Sequence, residues 1–286
     1  MPKQISFVDF IERYSDDSAC LQEIVQRRYP KGIMCRKCKM VTRHYRIKSR
    51  PVYCCKFCRA QTSPLASTIF HRTRISLRYW FLAIYLLTNT RSGMAALELQ
   101  RYIKVNYHTA WRMLHKIREA MATENSDFLK GIVEIDETYV GWRRNLWYGD
   151  KVDDAAVVMG FVERGGRARY RHIPNNGKIT LHAQVLKNID RNAHIMSDQL
   201  HAYKNLNKYG YKHDSVLHRR EYVRGDVYTQ TIESGWGMLK RSLSGTYHKT
   251  SKQHLQKYLN EFEWRYNHRK EPEKMFGTLL QRAIFK

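Results

Sequence analysis

The sequence is poor in acidic side chains, with 26 Asp and Glu against 51 Lys and Arg in 286 residues. The resulting net charge of +25 fits a polyanionic partner, because each phosphate that a protein neutralises releases condensed counterions. Nucleic-acid binding is therefore the first expectation. The alternatives are a ribosomal protein or a protein that is merely soluble and basic.

The sequence also lacks a long hydrophobic run. Its longest run, LRYWFLAIYLL, contains Arg78 and is far shorter than the ~20 residues that a membrane-spanning helix needs. The first residues, MPKQISFVDFIERYSDD, are polar and amphipathic, unlike a signal peptide. We expect a cytoplasmic, nucleoid-associated protein with no membrane partner.

Cysteine is scarce as well, since six residues are too few for a disulfide scaffold. Four of them form two CxxC pairs: Cys35, Cys38, Cys55 and Cys58. Two such pairs can place four thiolates tetrahedrally around one Zn²⁺ ion. Cys54 could replace Cys55, although the spacing favours Cys55. The other interpretation is four reduced, buried cysteines without metal, and Cys20 is left as an ordinary thiol.

Several basic residues surround these cysteines in a segment too small for a core of its own. They could contact DNA or could equally form a solvated surface: Arg36, Lys37, Lys39, Arg43, Arg46, Lys48 and Arg50.

Hydrophobic periodicity changes along the chain and predicts five parts. They are a helical lead-in over 1–30, a zinc ribbon over 31–65, a helical DNA-binding module over 75–124, a mixed α/β catalytic domain over 131–270 and a C-terminal tail over 271–286. Within the α/β domain we expect loops or irregular structure over 142–154 and 207–229.

The helical module has the spacing of a helix-turn-helix. Apolar residues recur on one face of 107–121, and a short link joins that helix to another over 95–102. Arg112, His115 and Lys116 lie outside the apolar stripe and are the predicted DNA contacts. The alternative is an ordinary helical hairpin.

Three carboxylates stand in apolar segments of this basic chain. Asp136 lies in VEIDETYV, Asp198 follows HIMS, and Glu233 lies in TIESGWGMLKRSL. Alternation along the first strand puts Glu134, Asp136 and Thr138 on one face. Because uncompensated buried charge is costly, the set suggests a common site, although each carboxylate alone is more often a surface or capping residue.

In a ribonuclease-H-like domain, Asp136, Asp198 and Glu233 could converge. Hard oxygen ligands of this kind hold two Mg²⁺ (or Mn²⁺) ions ~3.5–4 Å apart in phosphoryl-transfer enzymes. Lys240 follows Glu233 by nearly two helical turns, with Arg241 beside it, so that both are candidates for holding a DNA phosphate. A solvated pair is the other interpretation.

The chain resembles bacterial insertion-sequence transposases of the DDE class that carry an N-terminal zinc ribbon, an ISXO-like group related to the Merlin elements. The likeness runs over nearly the whole length. It is carried by the CxxC pairs followed by TSPLASTIFHRTRISLRYWFLAIYLL, and by YHTAWRMLHKIREAM, VEIDETYVG, HIMSDQLHAY and REYVRGDVYTQTIESGWGMLKRSLSGTYHKTSKQHLQKYLNEFEWRYNHR.

The resemblance implies a ribonuclease-H-like domain, metal-dependent transposition, recognition of terminal inverted repeats, and a homo-oligomer on DNA. It assigns the acidic residues to Asp136, Asp198 and Glu233 and the basic one to Lys240. The chain departs from the family at Gln230, where members often carry Asn, and in the short segment WRRNLWYGDKVDD. The competing functions are a non-catalytic zinc-ribbon DNA-binding regulator and another nuclease of the same fold, such as a junction resolvase.

Overall fold

The computed structural model describes residues 4–123, 128–141, 155–198, 200–216, 228–248 and 250–285. They form two compact units. The first unit contains residues up to 121 together with those from 271 onward, and the second contains 122–270. In the described part of the chain, no helix combines the length and hydrophobicity needed to cross a membrane.

The first unit is mainly helical, with a small sheet. Its first helix begins at a capping box in which the Ser6 hydroxyl accepts from the Asp9 N–H and the Asp9 carboxylate accepts from the Ser6 N–H. The elements are α1 Phe7–Arg13, α2 Asp17–Arg28, β1 His44–Ile47, β2 Val52–Cys55, β3 Gln61–Thr62, α3 Leu77–Asn89, α4 Ala96–Ile103, α5 Tyr107–Ala120 and α9 Met275–Phe285. The strands form an antiparallel sheet in the order β1-β2-β3.

The residues predicted as a C-terminal tail are instead part of this unit's core. Phe276 of α9 packs edge-on against Phe10 and Tyr85, with ring centroids 5.9 and 6.0 Å apart. The N–H of Ile69 donates to the carbonyl of Ala283 at 3.1 Å. The helix is buried because its apolar residues recur every three or four positions, as in a core-facing helix.

The second unit is a mixed α/β domain. Its elements are β4 Ile132–Val140, β5 Ala156–Glu163, β6 Ala168–Ile173, α6 Lys178–Asn188, β7 His194–Asp198, β8 Lys212–Val216, α7 Gln230–Ser242 and α8 Lys252–Asn267. The sheet has the order β6-β5-β4-β7-β8, antiparallel from β4 to β6 and parallel from β4 through β7 to β8. This is the topology of a ribonuclease-H-like fold, which confirms the predicted fold class.

One of the two predicted loops of this domain contains a strand. Lys212–Val216, inside the predicted loop over 207–229, is the edge strand β8. Its sequence KHDSV carries few apolar residues because the strand is only partly buried, so that the usual strand signal is weak. The predicted loop over 142–154 lies outside the described residues, as does 217–227.

The sheet is buried on both faces. On one face, Val133 and Ile135 of β4 join a cluster with α6 residues such as Leu181. On the other, β5 and β6 residues pack against Ile232 and Trp236 of α7 and against α8. Glu134 and Asp136 share one face of β4, as the alternation predicts, and the structure shows that this face meets α7.

Candidate metal centres and DNA-contact residues

The four cysteines of the CxxC pairs form one cluster. Their sulfur atoms all lie within 4.8 Å of one another, with 3.4 Å between Cys35 and Cys58 and 3.9 Å between Cys38 and Cys55. Cys54 lies outside the cluster, and its thiol donates to the Arg59 carbonyl at 3.4 Å. Tetrahedral Zn²⁺ binding requires four thiolates at this kind of separation.

The two CxxC pairs have nearly the same backbone geometry. In the first, the N–H of Cys35 donates to Met40 at 2.9 Å and Lys39 has a φ of 58°. In the second, the N–H of Cys55 donates to Ala60 at 2.9 Å and Arg59 has a φ of 58°. Each turn is therefore built locally, and the antiparallel β1–β2 pair lies between them.

The electrostatics of the cluster suit a cation. The pKa of Cys55 is lowered to about 6, chiefly by the backbone N–H of Cys58. The pKa of Cys38 is raised to about 12, chiefly by its hydrogen bond with Cys58. Four thiols this close cannot all ionise unless a cation balances them, and a divalent metal does so. The donor set and its spacing fit Zn²⁺.

The three predicted carboxylates lie on neighbouring elements. Asp136 is on β4 and Asp198 ends the adjacent parallel strand β7. The β4–β7 pairing runs as far as Glu134 and Met196, two residues before Asp136 and Asp198. Glu233 is in the first turn of α7, which packs on β4.

One oxygen of each carboxylate is held by a nearby donor. The indole N–H of Trp236 donates to Asp136 Oδ2 at 2.8 Å. The N–H of Leu200 donates to Asp198 Oδ1 at 3.1 Å, and the Thr229 hydroxyl donates to Glu233 Oε1 at 3.1 Å. These bonds restrict the orientation of each carboxylate.

The charges of Asp198 and Glu233 act on Asp136. Burial, followed by the negative charges of Asp198 and Glu233, raises the pKa of Asp136 to about 6, against the hydrogen bond from Trp236, which lowers it. A nearby cation would remove the cost of this repulsion. The donors are hard oxygens, so that the residues present fit Mg²⁺ or Mn²⁺.

The carboxylate oxygens of the three residues do not lie as close together as the four cysteine sulfur atoms. Among the described residues, the cysteines are the group of three or more potential ligands that meets the 4.8 Å limit. A single Mg²⁺ ion with ligands at 2.0–2.1 Å requires oxygens about 4 Å apart or less. In the described part of the chain, the three carboxylates therefore do not form a ready-made site for a single ion.

Two acidic neighbours of Asp136 have separate roles because they lie on opposite faces of β4. Glu137 lies on the opposite face of β4, where the buried Tyr203 donates its hydroxyl to it. Burial raises the pKa of Glu137 to about 7. Glu134 is fully buried and hydrogen-bonded to the start of α7.

Trp236 approaches β5 closely because Gly160 has no side chain. A Cβ on Gly160 would lie 2.6 Å from the Trp236 ring and 2.9 Å from Ile232. Gly160 is the antiparallel partner of Asp136, so this gap allows the indole to reach the Asp136 carboxylate. The spacing from Glu233 to Trp236, almost one helical turn, is the sequence signal that could have identified it.

The predicted DNA-contact residues divide into exposed and buried ones. Lys240 and Arg241 are both exposed in the last turn of α7. Arg112 and Lys116 are exposed on α5, and the Lys116 ammonium also donates to the Ile69 carbonyl at 3.4 Å. His115 is only 3% exposed, with its ring 3.8 Å from that of Trp111. His115 is therefore not one of the exposed DNA-contact residues of α5, because α5 buries a wider face than its apolar stripe predicts.

The helices α4 and α5 follow one another through a short link, as in either a helix-turn-helix or an ordinary helical hairpin. They are joined by a turn over 104–106, in which Lys104 has a φ of 49°. The Asn106 side chain caps α5 by accepting from the His108 N–H at 2.9 Å. Both α4 and α3 pack against α5, as in a three-helix module whose last helix presents basic residues.

Family models match two parts of the chain. Residues 128–267 match the ISXO2-like transposase domain, and residues 15–61 match the transposase zinc-ribbon domain. The chain carries an ISXO2-like transposase domain. The resemblance stated from the sequence is thereby confirmed, and the transposase domain covers β4 to α8 with all three carboxylates.

A relative of similar length supports the same family. It is a protein of the transposable element ISH50 of Halobacterium salinarum, 28% identical over 96% of this chain and 99% of its own. The family likeness is therefore not confined to bacteria. The crystal structure of the Mos1 strand transfer complex matches 71% of this chain and 78% of its own, with 11% identity and a TM-score of 0.28. A likeness this weak adds nothing to the family assignment.

Proposed function

We propose that this transposase-domain protein cuts the ends of a mobile DNA element and joins them to target DNA. The observation that carries the proposal is the grouping of Asp136, Asp198 and Glu233 on the neighbouring elements β4, β7 and α7, with Asp198 and Glu233 near enough to raise the pKa of Asp136. A DNA-binding regulator has no need of such a costly group. The excess of basic residues supports a DNA partner.

Asp136, Asp198 and Glu233 are the proposed ligands of two Mg²⁺ ions. Divalent ions at such a site neutralise phosphate charge and lower the pKa of bound water. The chain's own groups hold the ligands in place, with Trp236 orienting Asp136. Glu233 is preferred to Gln230 as the third ligand because a carboxylate is the usual protein ligand of Mg²⁺.

The proposed reaction has two steps and needs no covalent protein–DNA intermediate. Water attacks a phosphodiester at the element's end, a P–O bond breaks, and a 3′-OH is released. That 3′-OH then attacks a phosphodiester of target DNA, forming one P–O bond as another breaks. Lys240 and Arg241 are proposed to hold a DNA phosphate, and Arg112 and Lys116 to contact the duplex.

The zinc ribbon is proposed to bind one Zn²⁺ ion through Cys35, Cys38, Cys55 and Cys58. The cluster geometry and the zinc-ribbon family match support this assignment. Zn²⁺ there has a folding role, since a segment of this size has little core of its own.

The test uses the purified chain, Mg²⁺ and DNA carrying the inverted repeats that bracket its gene. Asp136→Asn and Asp198→Asn are each expected to abolish cleavage and strand transfer while keeping DNA binding. Asp190→Asn is the matched control, since this carboxylate accepts from the Asn192 N–H at 2.9 Å in a turn. Cleavage by both variants at the parental rate would disprove the assignment.

Strand-transfer products separate the two catalytic functions. A transposase joins the cut end to a second DNA, whereas a junction resolvase gives cleavage alone. A non-catalytic regulator would bind the repeats and give neither product in Mg²⁺ or Mn²⁺.

A further inference from the structure

The start of α7 receives its cap from a distant strand. The side chain of Thr229, which precedes the helix, makes no capping hydrogen bond to it. Glu134 Oε2 accepts instead from the N–H of Thr231 at 2.9 Å and of Ile232 at 3.1 Å. Glu134 lies 97 residues before Thr231. A carboxylate is well placed there, because the first N–H groups of a helix are unpaired and carry partial positive charge.

The other oxygen of Glu134 is also engaged. Oε1 accepts from the Thr231 hydroxyl at 2.9 Å and from Arg164 Nε at 2.9 Å. Arg164 in turn donates to the Tyr228 carbonyl at 2.9 Å, and its guanidinium lies 3.6 Å from the Tyr228 ring centroid. With these hydrogen bonds and no exposed surface, Glu134 could reach a metal ion only by breaking this arrangement.

We propose that Glu134 is a positioning residue for the carboxylate site, which rests on the function proposed above. Glu233 directly follows Ile232, so holding the Ile232 N–H holds the backbone from which the Glu233 side chain extends. Asp136 lies two residues along β4 from Glu134. Strand β4 therefore carries one proposed ligand, Asp136, and positions another, Glu233, through Glu134.

A matched control exists in the same unit. Glu263 of α8 is 1% exposed and accepts from the Tyr170 N–H at 3.1 Å and from Arg171 at 2.7 Å. It is a buried, arginine-paired carboxylate that bonds a backbone N–H, but of β6 rather than of α7. Glu263→Gln therefore reports the cost of neutralising such a group away from the start of α7.

The first measurement is amide hydrogen exchange on zinc-loaded protein without Mg²⁺ or Mn²⁺. Glu134→Gln is expected to speed exchange at Thr231, Ile232 and Glu233 by about tenfold, the size of a lost helix cap. Thr231→Val, which removes one hydroxyl bond, tests the same contact from the helix side with a smaller effect. Glu263→Gln leaves these amides unchanged. Parental exchange at the start of α7 in Glu134→Gln would overturn the proposal.

The second measurement is Mn²⁺ affinity by calorimetry, on zinc-loaded protein. Glu134→Gln is expected to weaken binding by about tenfold or more, as changes behind a metal ligand do. In a Glu233→Gln background it adds little, because the two changes act through one group. Equal weakening in both backgrounds would show that Glu134 acts independently of Glu233 and would reject the proposal.

These outcomes separate this inference from the proposed function. If Asp136→Asn leaves Mn²⁺ binding unchanged, the carboxylate site itself is wrong, and this inference fails with it. If Asp136→Asn abolishes binding while Glu134→Gln binds as the parent does, the site stands and only the positioning role is rejected.

Discussion

The cysteine cluster and the proposed carboxylate site are both sets of acidic groups, but the chain builds them differently. The cysteines come from two similar turns within 35–58, and their sulfur atoms lie within 4.8 Å of one another. The carboxylates come from β4, β7 and α7, and their oxygens do not meet that limit among the described residues. Local turns assemble ligands by themselves, whereas distant ligands depend on the surrounding fold.

The largest expected effect is on the cysteine side of this comparison. Cys55→Ser should lose the Zn²⁺ ion and the fold of 31–65, because metal binding contributes on the order of 10 kcal/mol to such modules. The adjacent Cys54→Ser should keep both, since Cys54 lies outside the cluster. Zinc content and limited proteolysis measure the two effects. Equal zinc loss in both variants would mean that the cluster is assigned to the wrong thiols.

At the carboxylate site we expect a substitution to stabilise the protein, the opposite of the effect of Cys55→Ser. The folded-state pKa of Asp136, about 6, lies above its ordinary value of 3.8, so the native state binds this proton more tightly. Stability of the metal-free protein should therefore fall as pH rises from about 4 to about 7. Asp136→Asn should then be the more stable protein at pH 8, by about 3 kcal/mol, and equal to the parent near pH 4.

Urea unfolding at both pH values measures this difference, with Asp190→Asn as the control that should follow the parent. An Asp136→Asn variant no more stable than the parent at pH 8 would show that the carboxylates are not crowded in the metal-free protein. A site that costs stability in order to hold charge is typical of function.

The smallest expected effect concerns the packing that holds α7 near the carboxylates. Gly160→Ala should cost about 1–3 kcal/mol, because its Cβ would lie 2.6 Å from Trp236. It should also weaken Mn²⁺ binding, since the indole holds Asp136. Gly245→Ala is the control, as a Cβ there meets no atom within 4 Å. Unchanged Mn²⁺ affinity in Gly160→Ala would separate Trp236 from the site.

The sequence predicts the local features of both sites well. The cysteine spacing is a property of two short turns, and the alternation along β4 is a property of one strand, so both can be read without tertiary structure. The α/β fold class follows from the order of such elements. Strand β8 escapes prediction because KHDSV has a weak apolar pattern and gains its place by pairing with β7.

What the sequence does not give is the partner that each side chain meets. His115 and Arg112 both lie outside the apolar stripe of α5, yet only Arg112 is exposed. Glu134 and Asp136 share a face of β4, but one meets the start of α7 and the other the Trp236 indole. The contacts of Glu134 and Asp136 join residues about a hundred positions apart in the sequence, so local periodicity cannot predict them.

The placement of α9 has a consequence for synthesis of the chain. The first unit contains Phe10 and Phe276, packed together, so it can be completed only after the whole transposase domain has left the ribosome. A premature stop codon after that domain would leave β4 to α8 intact. It would remove α9 and expose the core of the first unit. Nascent or truncated chains would therefore have the complete transposase domain without a finished first unit.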